Sequence, residues 1–213
     1  MNAKPEQATM AAGDPPAVDD PAFLTALVTE HFVLQTARSI GTGEATSRAG
    51  LYVATLSSGL VATGFASGKP YFAVFLGAVL IVVLALGLVT FARLVEISRE
   101  DLARLRDLRI VHRYYGTLSP GAGRYFKDVD TDDISAVIET QYKRHSPFLI
   151  LTSAASLVAI LNSVVLGTGL TGLASATSGG FRGWDVAVGV AGAVLSCWLA
   201  LWFESRELNA PAR

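Results

Sequence analysis

Four long apolar runs, none with a charged residue in its interior, dominate the pattern of hydrophobic and polar positions along the chain. They cover about residues 51–66, 71–92, 148–167 and 184–203. The second run holds 22 residues, and at about 1.5 Å of rise per residue it exceeds the roughly 30 Å of hydrocarbon in a bilayer. A helix satisfies its own backbone hydrogen bonds in lipid, so such runs predict transmembrane helices. We therefore expect an all-α polytopic membrane protein with four transmembrane helices, and a lipid bilayer as its surroundings.

The segments between these runs predict the domain organisation. Residues 1–20 are rich in Ala, Pro and Asp, which predicts a disordered tail. An N-cap acid and a proline, Asp20-Pro21, predict the start of an amphipathic helix that lies in the cytoplasm or at the membrane interface. We expect this helix to break or bend near Gly41 and Gly43. The resulting segments are 1–20 (tail), 21–48 (amphipathic helix), 49–92 (first transmembrane hairpin), 93–146 (cytoplasmic helical segment), 147–204 (second transmembrane hairpin) and 205–213 (C-terminal tail).

The second predicted helix continues beyond the membrane. No helix breaker follows Arg93 until Gly116, and one side of this stretch is apolar while the other is charged. This pattern indicates packing against a neighbour in the chain or against another subunit. A Gly/Pro loop and a further helix from about Asp132 to His145 would complete a cytoplasmic helical hairpin between the second and third spans. We expect a loop of small residues at 168–183, before the fourth span.

The distribution of Lys and Arg predicts the orientation. Residues 93–147 hold ten of these residues, the N-terminal flank holds three and the C-terminal tail two, whereas each loop on the other side holds one, Lys69 or Arg182. Positive charges resist translocation, so both termini and the middle segment are predicted to be cytoplasmic. The preference for Arg over Lys and the abundance of Ala, Gly and Val suggest a bacterium with a GC-rich genome. The predicted location is therefore the bacterial cytoplasmic (inner) membrane.

The overall charge and the cysteine content exclude several classes of function. The 17 basic and 18 acidic residues nearly cancel, so no global positive field would attract nucleic acid. Cys197 is the only cysteine, which excludes an internal disulfide and a cysteine-built metal cluster. The three histidines are widely separated in sequence, so they do not suggest a metal site.

One acidic motif resembles a calcium-binding loop. Asp128, Asp130, Asp132 and Glu139 have the spacing of positions 1, 3, 5 and 12 of an EF-hand loop. Position 6 requires glycine but is Asp133, which favours a second interpretation in which these acids cap and begin a helix. We therefore treat the four residues only as weak metal candidates, and we predict no cofactor.

Small and hydroxyl-bearing residues form stripes on three predicted spans. The residues of interest are Thr55, Ser58 and Thr63 on the first span and Ser156, Asn162 and Ser163 on the third, while Gly189 and Ala193 form a small-xxx-small pair on the fourth. Such residues allow helices to approach closely in lipid, and their hydroxyls can bond across the contact. Helix packing is the favoured interpretation, and a hydrophilic pore lined by several subunits is the alternative.

The sequence offers little support for catalysis or for ion-coupled transport. Residues 167–172 match GxGxxG, but the match follows a membrane span rather than a strand, so it is interpreted as coincidence. None of the predicted spans has an acidic residue, a basic residue or an arginine in its interior, which disfavours a proton- or sodium-coupled carrier. We expect the protein not to be an enzyme.

Three short stretches resemble segments of bacterial four-span proteins to which no function is assigned. They are FVLQTARS (32–39), FARLVEI (91–97) and HRYY (112–115). The resemblance covers most of the chain from residue 22 onward and implies no activity.

The functional hypothesis from the sequence is a non-enzymatic membrane protein that self-associates as a homo-oligomer and acts as a scaffold, sensor or partner subunit. The alternative is a small oligomeric ion channel or pore-forming effector.

Overall fold

The described structure, a computed structural model, covers residues 21–117 and 153–208 and consists of four helices. They are α1 (Pro21–Ala66), α2 (Phe72–Thr117), α3 (Ala154–Ser178) and α4 (Gly183–Leu208). All four are long and apolar enough to cross a membrane. The prediction of an all-helical protein with four candidate membrane spans is confirmed.

Helices α1 and α2 form an antiparallel pair that is far longer than a membrane is thick. Each holds 46 residues, which at 1.5 Å of rise per residue gives about 69 Å. Gly68 closes the turn between them with a φ of 76°, a left-handed conformation that favours glycine. At the far end, the rings of Phe23 and Tyr114 lie 5.3 Å apart. The two helices therefore remain paired from the turn to their distant ends.

The parts of α1 and α2 beyond the apolar runs, residues 21–48 and 93–117, are called the stalk below. The extension of α2 past Arg93 was predicted, and its partner is α1 of the same chain: Arg38 Nε donates to Asp101 Oδ1 at 2.7 Å. The predicted break in α1 at Gly41 and Gly43 is wrong, because one helix passes through both positions. At Gly41 the α1 backbone lies close to the side chains of α2, and this packing offsets the low helix propensity of glycine.

Helices α3 and α4 form the second hairpin. Ser153 caps α3, since its side chain accepts a hydrogen bond from the backbone N–H of Ser156, and Gly179 ends it with a φ of 73°. The predicted loop at 168–183 is wrong over most of its length, because α3 continues to Ser178 and α4 begins at Gly183. The predicted start of the third span, at 148, and the predicted helix 132–145 lie outside the described residues.

The buried core joins α1, α2 and α3. It includes Ala49 and Tyr52 from α1, Phe91 and Leu94 from α2, and Val158 from α3. Elsewhere the outer surfaces of the spans are apolar and open: between 6% and 28% of each apolar window is buried within the chain. Such open apolar surfaces are compatible with a multi-pass membrane protein.

Candidate functional site

Charged side chains form a network where the spans of α1 and α2 meet the stalk. Arg93 donates from Nε to Glu44 Oε1 at 3.1 Å and from Nη1 to Glu96 Oε2 at 2.7 Å. Glu44 also accepts from Arg48 Nε at 2.8 Å, and Glu100 accepts from Arg104 at 3.0 Å. The side chains of Arg93 and Glu44 are each 32% exposed. The network therefore pairs the charges nearest to the apolar spans with one another.

This arrangement lowers the pKa of the Glu44 carboxyl. The main cause is the hydrogen bond from Arg93, followed by the one from Arg48. Both guanidinium groups favour the ionised carboxylate. A pKa that is lower in the folded protein than in the unfolded chain stabilises the fold above the unfolded value of about 4.5, and this stabilisation is lost as the pH falls through the folded value.

Replacing Glu44 by glutamine is expected to remove this pH-dependent stabilisation. At pH 7 the wild-type protein should melt at a higher temperature than Glu44→Gln, and the difference should shrink as the pH falls below about 4.5. Thermal melts in detergent, recorded by circular dichroism at pH values from 7 to 3, measure this difference in melting temperature. Glu30→Gln is the control, because Glu30 is exposed and takes part in no ion pair among the described residues. A constant difference between wild type and Glu44→Gln across this range would contradict the assignment.

A groove of about 470 Å³ lies beside the network, between α2 and α4. Arg99 Nη1 and Glu207 Oε2 form an ion pair at 2.8 Å across this groove. The lining residues are Val89, Ala92, Arg93, Val95, Glu96, Arg99, Phe203 and Glu207. Two arginines and two glutamates balance each other in this lining, so the groove has no net charge with which to select an ion.

A buried carboxylate lies where the start of α3 meets the end of α4. Glu204 is 3% exposed, and its two oxygens accept hydrogen bonds at 3.0 Å from the hydroxyls of Ser153 and Ser156. Ser153 Oγ in turn accepts the backbone N–H of Ser156 at 3.0 Å. The helix cap and the carboxylate thus share the same hydroxyls, which fixes this end of α4 against α3.

A polar contact joins α1, α2 and α3 within the spans. The Tyr52 hydroxyl donates to Asn162 Oδ1 at 3.3 Å. Gly87 of α2 faces both side chains, and a Cβ atom there would lie 2.9 Å from Tyr52 Cε2. Glycine at this position allows the amide and the phenol to meet beside the α2 backbone, and the contact therefore serves packing.

The six residues singled out from the sequence do not form one surface. Thr55 and Ser58 are exposed on α1, and Thr63 is half-buried with its hydroxyl bonded to Gly59 O. On α3, Ser156 bonds Glu204. Ser163 is also buried there and bonds Ala159 O and Ser196, while Asn162 is half-buried and contacts Tyr52. Within a single chain these side chains therefore line no common path.

The small residues of α3 and α4 bring these helices into close contact. A Cβ atom on Gly167 would lie 2.7 Å from Gly189 O and 2.8 Å from the Cβ of Ala193. The pair noted in the sequence of the fourth span, Gly189 and Ala193, thus meets Gly167, which belongs to the GxGxxG match. Helical geometry at residues 167–172 excludes a phosphate-binding turn there.

Two histidines that are distant in sequence meet in the stalk. The rings of His31 and His112 lie 5.2 Å apart, and Tyr115 lies 6.1 Å from His31. His31 Nδ1 is buried and has no hydrogen-bond partner within the described part of the chain. Among residues 21–117 and 153–208, no group of three or more His, Cys, Asp or Glu could hold a metal ion. Asp128, Asp130, Asp132 and Glu139, the weak calcium candidates, lie outside the described residues.

Comparison with protein-family models, with curated proteins and with solved structures finds no match for this chain. Function must therefore be inferred from the chain's own residues. The polar contacts described above join helices to one another: α1 to α2 through Arg93, α1 to α3 through Tyr52, and α3 to α4 through Glu204.

Proposed function

We propose that the chain is a non-enzymatic integral membrane protein that associates with copies of itself and acts as a scaffold, sensor or partner subunit. The observation that carries this proposal is the long α1–α2 pair, in which two spans continue without interruption into a stalk. Charged groups along this pair bond to one another across the two helices, as Arg38 does with Asp101 and Arg93 with Glu44. A rigid projection of this kind suits the presentation of a surface to a partner.

The proposed setting is the cytoplasmic membrane of a bacterium, with the stalk and both termini in the cytoplasm. Fifteen of the 17 Lys and Arg residues belong to the segments on that side, and positive charges favour the cytoplasm. The stalk ends of α1 and α2 lie together, and α4 ends beside the start of the stalk through the pair of Arg99 and Glu207. This geometry supports a common side for these ends.

The orientation can be tested by labelling single cysteines in intact cells, in a background where Cys197 is replaced by serine. Cysteine at Ile110, which is 68% exposed in the stalk, should resist a membrane-impermeant maleimide until the cells are opened. Cysteine at Ser67, exposed in the turn between α1 and α2, should react at once. The reverse pattern would refute the proposed orientation.

Self-association is tested by the mass of the detergent-solubilised protein. Light scattering coupled to size exclusion, corrected for bound detergent, should give at least twice the 22.4 kDa of one chain at micromolar concentration. A single-chain mass at every concentration, including after mild cross-linking in native membranes, would remove the proposal. Cross-linking before solubilisation controls for dissociation by detergent.

The alternative, a small oligomeric channel or pore-forming effector, receives less support. Its candidate residues lie on separate surfaces, with Thr55 and Ser58 outside the helix bundle and Ser156 and Ser163 buried between α3 and α4. A path would have to form between copies along α1. Ion or dye flux in liposomes that contain the purified protein is the measurement that would favour this alternative.

A further inference from the structure

Helix α1 has an outward face that repeats every seven residues over nearly its whole length. Two interleaved series of positions form it, and all twelve residues are uncharged and exposed. This face, called the outer face below, consists of Ala26, Val33, Ile40, Ser47, Ala54 and Val61 in one series and Thr29, Thr36, Gly43, Gly50, Ser57 and Gly64 in the other.

The outer face lies on the side of α1 that points away from the rest of the chain. Residues of α1 that contact α2 or α3 fall at other positions of the seven-residue repeat, among them Leu34, Arg38, Ala49 and Tyr52. A Cβ atom added at Gly43, Gly50 or Gly64 would meet nothing within 4 Å. The described part of the chain therefore leaves this side of α1 open from the stalk to the turn.

The outer face contains no charged residue, although charged residues occur at other positions of α1. The stalk part of α1 contains Glu30, Arg38, Glu44 and Arg48, and none of them occupies one of the twelve positions. In a parallel two-fold pair of helices, each position of a seven-residue seam meets its own counterpart, so any charge there would face the same charge. A seam without charge is what packing against an identical helix requires.

Part of the outer face lies in the stalk and part lies in the membrane span, so its two parts have different surroundings. In the stalk it exposes Val33 at 54% and Ile40 at 66%, with Phe32 beside them at 63%; these side chains are stabilised by removal from water. Within the span its residues are mostly small, and such residues favour close contact with another helix over contact with lipid chains. A second α1 has the length and the register to cover both parts.

We propose that the outer face of α1 packs against the outer face of α1 in a second copy of the chain, forming a parallel homodimer. This inference rests on the proposed self-association and names its surface. Both copies enter the membrane in the same orientation, which makes the two helices parallel. A strict seven-residue repeat drifts relative to the 3.6 residues of a straight helix turn, so the pair coils with a left hand.

The contact is long enough for a stable dimer. From Ala26 to Gly64 the outer face extends about 57 Å at 1.5 Å per residue, and a strip about 10 Å wide, one helix diameter, gives roughly 570 Å² per copy. The two copies together would bury about 1,100 Å², just above the roughly 1,000 Å² expected of a specific interface.

Disulfide formation between identical positions tests this interface. In a Cys197→Ser background, Ser47→Cys in the stalk and Ser57→Cys in the span should each form a disulfide-linked dimer when native membranes are mildly oxidised. A disulfide requires Cα atoms within about 7 Å of each other, which a parallel in-register pair provides at these positions. Thr42→Cys and Thr55→Cys are the matched controls: both residues are exposed at similar depths on α1 but outside the outer face, and they should cross-link at least tenfold less.

A bulky substitution separates this inference from the proposal of self-association. Gly50→Leu places a large side chain on the outer face, at a position where a Cβ atom would meet nothing within 4 Å. It should lower the dimer fraction at least tenfold, whereas Thr55→Leu should not. If the protein is oligomeric but Ser47→Cys and Ser57→Cys cross-link no better than the controls, the outer face is not the interface, and self-association stands without it. If every variant and the wild type are monomeric, both fail.

Discussion

Substituting alanine for Gly167 is expected to destabilise the protein by about 1–3 kcal/mol, the usual cost of forcing an extra methyl group into a packed contact. The added Cβ would lie 2.7 Å from the backbone oxygen of Gly189 and 2.8 Å from the Cβ of Ala193, so α3 and α4 would have to separate. The loss should appear in SDS titrations of the protein in mixed micelles, followed by circular dichroism.

Gly172→Ala is the matched control for this measurement. It makes the same substitution on the same helix, at a position where a Cβ would meet nothing within 4 Å. Its effect should be neutral or slightly stabilising, because alanine favours the helix over glycine. Equal stability of Gly167→Ala and Gly172→Ala would show that the close contact between α3 and α4 does not exist.

Loss of the Ser156 hydroxyl is expected to produce the second large effect. Ser156 is fully buried and Glu204 is 3% exposed, so Ser156→Ala removes one of the two hydroxyl donors to a carboxylate that water cannot readily reach. Hydrogen bonds to charged groups contribute about 1.5–3 kcal/mol, and we expect a loss of this size in the same SDS titration.

Ser163→Ala is the control, since Ser163 is buried on the same helix but bonds only uncharged groups, Ala159 O and Ser196. Its cost should be nearer to 0.6 kcal/mol, the average for hydrogen bonds between membrane helices. A second check is Ser156→Ala made together with Glu204→Gln: the added cost of Ser156→Ala should be smaller there, because an uncharged amide depends less on the lost donor. Equal losses for Ser156→Ala and Ser163→Ala would contradict this account of Glu204.

The four spans could be predicted from the sequence because length and lack of charge decide membrane insertion almost independently of tertiary contacts. Helix ends were harder to predict. The stretch after Gly167 is rich in Gly, Thr and Ser, residues that favour turns in water, yet α3 continues through it. The hydroxyls of Thr168 and Thr171 bond to carbonyls one turn earlier, and Gly167 packs against α4, so local polarity did not reveal the helix.

The polar contacts were predictable only in part. Glu44 and Arg48, four residues apart on one helix, can be recognised as a pair from spacing alone. The partners of Glu204 and the meeting of His31 with His112 depend on how separate helices align, and no local pattern encodes that alignment. Hydroxyl stripes identified Ser156 and Ser163 as residues of interest without indicating that one binds a carboxylate and the other a neighbouring serine.

The unbroken course of α1 has a mechanical consequence. Between Phe23, at the distal end of the stalk, and Tyr52, within the bilayer span, every residue is helical, a distance of about 44 Å at 1.5 Å per residue. The helix has no break along this length. The distal end of α1 and the contact of Tyr52 with Asn162 are therefore connected through one continuous helix.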